Sequence, residues 1–529
     1  MSSVTRHRIV IVAAFLFAAG TAFAASPPSS LRYAPAADLT GLDPQINGAL
    51  ATAEYAAMVY DTLFSMDANL VPRPQMVDRE TISPDGLRYD FTLRPGLRFH
   101  DGQPVTGADV VASITRWMKR DALGQRMASA MVTFQAEGDN GFSMTFRQRF
   151  PFVEMALAWS GSGMAAILRK QDAETDPFKQ TTTSIGSGPF RFLPDRWQIG
   201  SGAAWARNPD YVARDEPPSG MAGGKVARLD GVEMHYIPDA STRANALKTG
   251  EIDLVDLLPA DLVDFVRADK KLVVDRLSPL GSEAFIRMNQ LQPPFDKLKA
   301  RQALALTVSQ PEYMAAAYGA HEWWEEGCFS YFVCGSPNGS EAGSEPYRKP
   351  DYERARQLLA DSGYKNEPIV IVTASDVPSQ NAMAQVTAAN LRMLGANVDL
   401  QVVEFAQIMV RRENRKPASQ GGWNIILLGL NGSLMNSPVT NLVIDSRCEQ
   451  AGYFGWPCDP ALETLRAQYM AEPDPVTRRG IVDALSREAW ASLPAILTGM
   501  YYNAYAWNSK VTGLIHATQL VFWNAAKAP

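Results

Sequence analysis

Apolar and polar positions in this chain follow two periods, and segments of each period alternate. Tyr89, Phe91 and Leu93 are apolar while Asp90, Thr92 and Arg94 are polar, the period-two signature of a half-buried strand. Pro95-Gly96 turns the chain, Leu97 and Phe99 predict a second short strand, and Asp101-Gly102 ends it. Thr106 and Asp109 form a capping-box start. Val110, Val111, Ile114, Trp117 and Met118 then recur at helical spacing. Short apolar runs predict buried strands at residues 31–34, 232–237, 252–258, 283–289, 369–373, 398–403 and 423–428, with a late strand within 497–507. Between them the pattern predicts helices at 53–64, 241–249, 352–362, 381–394 and about 475–492; Gly250, Gly363 and Gly395 each stand where a helix should end. Strands alternating with helices in two blocks predict an α/β fold of two lobes.

Composition narrows the class. The 529 residues are 46% hydrophobic and 20% charged, enough apolar material for large cores. The net charge of −6, with no long basic run, argues against nucleic acid as a partner. The first residues have the form of a secretory signal: Arg6 and Arg8, an apolar run at 9–19, and Ala22-Phe23-Ala24 as the small-x-small cleavage pattern. Cleavage after Ala24 would make residues 1–24 a signal peptide and export the chain. No later run reaches the length of a membrane span.

The four cysteines fall as two close pairs, Cys328 with Cys334 and Cys448 with Cys458. A secreted chain meets oxidising conditions, so two local disulfides are expected among the three possible connectivities. Each small loop is worth roughly 2–3 kcal/mol in the chain-entropy model. A zinc site is the rival, but neither pair has CxxC spacing and histidines are few, so no metal is expected.

A search for catalytic chemistry finds little. Gly161-Ser162-Gly163 is too short for a nucleophile elbow. The stretch GSGPFRF at 186–192 lacks the last glycine of a dinucleotide fingerprint, and His321-Glu322-Trp323-Trp324-Glu325 lacks the second histidine of a zinc-protease helix. His100-Asp101 reads better as a strand end and turn than as a catalytic pair. No cofactor and no enzymatic activity are expected; a secreted hydrolase is the disfavoured alternative.

The order of motifs resembles the periplasmic solute-binding proteins of ABC importers, in the peptide/nickel-binding family that includes dipeptide- and oligopeptide-binding proteins. The resemblance rests on residues 70–117, with the run LR-x-G-x-x-F-x-DG-x-P, and on GSGPF, NPDY at 208–211, TGEID at 249–253, MNQLQPPFDKLKARQAL at 288–304 and YERARQLLADSGY at 352–364. It implies a two-lobed type II binding-protein fold with an extra subdomain in the first lobe. The implied segments are 25–59 (lobe I), 60–184 (extra subdomain), 185–284 (lobe I), 285–498 (lobe II) and 499–529 (return to lobe I). Two crossings near residues 281–289 and 497–507 would form the hinge. The resemblance further implies a monomer that closes on a small polar solute and delivers it to inner-membrane permease subunits.

The resemblance also marks candidate ligand contacts. Dipeptide-binding relatives hold the ligand ammonium with an Asp in a loop that aligns with Leu430, Asn431, Gly432, Ser433 and Asn436; the Asp position falls on Ser433. Their carboxylate-binding Arg falls near Ala374. Both charged anchors are missing. An unpartnered buried charge costs several kcal/mol, so a zwitterionic dipeptide should bind poorly, and an opine or an amine- or hydroxyl-rich solute gains weight. Asp376 is either a replacement anchor or a helix cap. Asn47, Thr52 and Tyr55 are candidates for the first-lobe wall, or else they finish a turn and a helix start. Phe454 and Trp456 either stack on ligand or pack their loop, and Tyr501 near the hinge poses the same choice.

Overall fold

The computed structural model describes residues 29–46, 48–160, 163–181, 183–450 and 453–528. The expected signal peptide and Asn47 lie outside these residues. Three sheets organise the chain. The first lobe is built on seven strands in the order Leu272–Asp275, Ala504–Asn508, Leu254–Leu258, Ser30–Ala34, Gly231–His235, Gly202–Arg207 and Phe190–Phe192. The second lobe is built on five, in the order Val398–Val403, Ile369–Ala374, Ile425–Asn431, Ser282–Met288 and Ile496–Tyr501. Val77–Ile82, Arg88–Leu93, Gly141–Phe146 and Met131–Glu137 form the four-stranded sheet of the extra subdomain.

Local sequence accounts for much of this. Arg88–Leu93 alternates buried and half-buried side chains, and Phe91 stacks on Phe142 of the neighbouring strand at 4.7 Å. Thr106 and Asp109 close a capping box on the helix Gly107–Met118, whose Ile114 and Trp117 are fully buried. Leu97 and Phe99 are buried as expected but do not form a strand. A single bridge from Arg98 to Pro104 stands there, because Asp101-Gly102 turns the chain before a ladder can extend. The strand expected within 497–507 is two strands in different sheets, Ile496–Tyr501 and Ala504–Asn508.

That split locates the crossings between lobes. Ser282 pairs with Tyr501 inside the second-lobe sheet, so the lobe reaches slightly beyond the expected 285–498 on both sides. The chain crosses at 276–281 and 502–503, not along whole segments, because ladder pairing holds 282–288 and 496–501 as strands. Both disulfides are local, Cys328–Cys334 and Cys448–Cys458. No helix of the described residues is long and apolar enough to cross a membrane.

Candidate functional site

Strand direction selects the site. Ile369–Ala374 and Ile425–Asn431 run parallel, so their C-terminal ends share one edge of the second-lobe sheet. Ser282 and Tyr501 lie at that same edge, next to the crossings. In open α/β sheets ligands gather at strand C-termini, where backbone groups are left unpaired by the ladder.

At this edge Asn431 ends its strand and caps the one-turn helix Gly432–Met435, its Oδ1 accepting from the Ser433 N–H at 2.9 Å. Its Nδ2 donates across the lobes to the Thr518 carbonyl at 3.2 Å. Gly432 donates to the Gly281 carbonyl of a crossing, and a Cβ there would meet the Leu280 carbonyl oxygen at 2.5 Å. Leu430, half-buried, pairs with Glu283. Burial alone pushes the Glu283 carboxyl well above the usual range, beside the Cys328–Cys334 disulfide.

Beyond this turn lies an inter-lobe cavity of about 130 Å³. The second lobe contributes Ser433, Asn436, Asn338 and Tyr469, the extra subdomain Met66, Met155, Trp159 and Ser160, and the C-terminal return Thr518. Asn338 Nδ2 donates to the Asn436 carbonyl at 2.9 Å, while Asn436 Oδ1 is buried with no partner among the described residues. None of the described lining side chains is charged. A larger hollow of about 750 Å³ lies on the outer face of the second lobe around Arg348–Arg356. It is open and lined by none of the strand-end residues, so the smaller inter-lobe space is the better candidate.

The mouth is clamped by aromatic rings. Phe152 of the extra subdomain stacks on Tyr469 of the second lobe at 5.6 Å and 19°. The Arg478 guanidinium sits over both rings, at 5.1 and 5.9 Å.

The structure brings Ser433 and Asn436 to the cavity and sends several other candidates elsewhere. Tyr55 is fully buried in the first-lobe core, edge-on to Phe192 at 5.1 Å. The Thr52 hydroxyl donates to the Gly41 carbonyl, closing the loop before its helix. Both belong to the helix face that covers the seven-stranded sheet, not to a ligand wall. Phe454 and Trp456 are buried against Trp423, which precedes the strand Ile425–Asn431 at the end opposite Asn431. The Cys448–Cys458 bridge folds their loop back to that far end. Asp376 is exposed near the strand end and accepts from the Phe405 N–H at 2.8 Å, so it takes up the first free N–H of the helix Phe405–Arg411, which Glu404 caps, and does not cap the helix after it in sequence. Tyr501 stacks on Tyr318 at 4.0 Å beside the crossing.

Sequence reading missed Trp159, Ser160, Asn338, Tyr469 and Thr518, which reach the cavity from four separate stretches of the chain. The one local signal was the GSG triplet following Ser160, weighed only as a failed nucleophile elbow. Beneath the first-lobe side lies a buried acid pair. Glu54 is next to Ala53, whose carbonyl accepts from Gln519. Burial and the neighbouring Asp256 hold Glu54 well above the carboxylate range, and burial raises Asp256 to about 7.

Comparisons with known proteins agree with this architecture. Residues 71–452 match the family described as bacterial extracellular solute-binding proteins, family 5. The probable peptide ABC transporter periplasmic-binding protein y4tO of Sinorhizobium fredii is 36% identical, over 97% of this chain and 99% of its own length. Glutathione-binding protein GsiB of Pectobacterium atrosepticum is 25% identical, over 97% and 96%. Among solved structures, the dipeptide-binding protein of Pseudoalteromonas sp. SM9913 with Met-Leu superposes with TM-score 0.77 at 19% identity, covering 94% of this chain and 100% of that one. AgaA of A. tumefaciens R10 with agropinic acid superposes with TM-score 0.75 at 21% identity, covering 94% and 99%. The chain belongs to the bacterial extracellular solute-binding proteins of family 5, the substrate-binding components of ABC transporters.

Proposed function

We propose that the chain captures a small polar solute between its lobes in the periplasm, after loss of residues 1–24, and delivers it unchanged to permease subunits as a monomer. The observation that carries this reading is the inter-lobe cavity at the strand-end turn 429–438, lined from both lobes and the C-terminal return. The proposed second lobe is 282–501, between crossings at 276–281 and 502–503, with the first lobe and its extra subdomain before it and the return to the first lobe after it. Enclosure matters because hydrogen bonds made away from water discriminate more strongly. Peptide-like solutes are the first class, from the names of the relatives. A non-peptide solute such as an opine is the second. It is favoured by Ser433 where dipeptide-binding relatives hold an Asp, by the uncharged lining, and by the opine-bound neighbour.

Native mass spectrometry of the protein purified without denaturant tests the reading. A solute released intact, and displaced from a Ser433→Trp variant, is the expected result. Chemical turnover of that solute, or its retention by the variant, would overturn it.

A further inference from the structure

The cavity has no charge of its own, but a cation waits beside it. Arg126 lies on the helix Ala122–Ala130 of the extra subdomain. This helix packs against Val153–Leu157, whose Met155 lines the cavity. The Arg126 guanidinium reaches across to the second lobe and donates to the Met470 sulfur. Met470 follows Tyr469, another lining residue.

A thioether is a weak acceptor, and a guanidinium carries five donors. Arg126 forms no ion pair among the described residues. The second lobe offers it no carboxylate to spare. Glu463 is held by Arg466 at 2.7 Å, and Asp445 by Arg447 at 2.6 Å with Arg466 at 3.9 Å. Three guanidiniums therefore face two carboxylates across the gap. Burial, then Arg466, depress the basicity of Arg126 by more than Glu463 and Asp445 restore it, which leaves this cation short of counter-charge. Arg126 is half-buried, so this excess positive charge is partly desolvated, which makes an incoming anion the missing partner.

We propose that Arg126 is the ligand's anion anchor, displacing its contact from the Met470 sulfur to a solute carboxylate while the solute's uncharged body occupies the Ser433–Asn436 cavity. Because no acidic side chain is among the described lining residues, the solute class is a carboxylic acid without a free ammonium group. This rests on reading the inter-lobe cavity as the binding site.

The test uses the full mature chain, calorimetry, and three probes sharing one body: alanyl-alanine, N-acetyl-alanyl-alanine and alanyl-alanine amide. The N-acetyl acid is expected to bind wild type most tightly. Arg126→Gln should weaken it roughly thirtyfold or more, as for loss of one partner of a buried charge pair. Arg126→Lys should recover part of the loss, and the amide should not respond to either change. Equal binding of the acid by wild type and Arg126→Gln, tighter binding of the amide, or no binding of the acid at millimolar concentration would overturn the proposal. So would a co-purified solute that lacks an acidic group. Ser433→Trp separates the two readings: if it abolishes binding while Arg126→Gln does not, the cavity stands and the anchor falls. If neither variant alters binding, both fall.

Discussion

Gly429 and Tyr501 make a sharp test of how the strand-end edge is built. A Cβ on Gly429 would lie 2.2 Å from the Tyr501 hydroxyl oxygen, 3.1 Å from its Cζ and 3.2 Å from its Cε1. The ring cannot step aside freely, since it stacks on Tyr318 at 4.0 Å and 12°, a contact worth about 0.5–1.5 kcal/mol beyond area burial. Gly429→Ala should therefore destabilise by about 1–3 kcal/mol, the usual cost of overpacking. Tyr501→Phe alone should cost about 0.5–1.5 kcal/mol by removing a polar hydroxyl that lies beside Tyr318 and Ser282. Combined, the two should be less harmful than their sum. With the hydroxyl gone, the nearest ring carbons lie just beyond 3 Å and need to move only a few tenths of an ångström. Thermal melting of wild type, both singles and the double completes the cycle. The double variant should melt above Gly429→Ala. A double variant that melts no higher, or a Gly429→Ala protein that melts like wild type, would refute the close approach.

Arg478 is half-buried over Phe152 and Tyr469, so Arg478→Gln should weaken the clamp by about 0.5–1 kcal/mol. The expected result is a larger radius of gyration by small-angle scattering at an unchanged melting temperature; an unaltered radius contradicts the clamp. Ser433→Asp introduces a carboxylate where the family resemblance expects an ammonium-binding Asp, and calorimetry with alanyl-alanine should show a gain of about tenfold or more. No gain counts against the alignment of residues 430–438. Asp256 and Glu54 carry folded-state protons that the unfolded chain releases above about pH 4. The stabilising contribution of the Asp256 proton is complete below that pH and is lost as pH rises through about 7. Asp256→Asn, neutral at every pH, should flatten the fall in melting temperature between pH 5 and 8; an identical slope would show that the pair does not titrate this way.

Local features were legible wherever one stretch of chain carries its own reason. The capping box at Thr106 and Asp109, the alternation at Arg88–Leu93 and the glycine after the helix Ala240–Thr249 all depend on neighbours a few residues away. Leu97 and Phe99 marked a buried segment, but their pattern could not tell a ladder from a single bridge, since burial and strand pairing are separate requirements. Tyr55 and Trp456 show the same limit at the site. An aromatic near a functional turn in sequence has no fixed side, and only the packing of the helix Leu50–Val59 and the Cys448–Cys458 loop sent them into cores.

The sequence by itself determined the two-lobed α/β class, the family and an uncharged turn at 429–438, and it favoured local pairing of the cysteines. These follow from periodicity, motif order and residue chemistry, which are written along the chain. Tertiary structure alone decided what faces that turn. Trp159, Tyr469 and Thr518 meet at one cavity, and Arg126 meets Met470, because two crossings at 276–281 and 502–503 bring opposed sheet edges together. Contacts between residues hundreds of positions apart leave no periodic trace in either partner, so the cavity exists only once the lobes face each other.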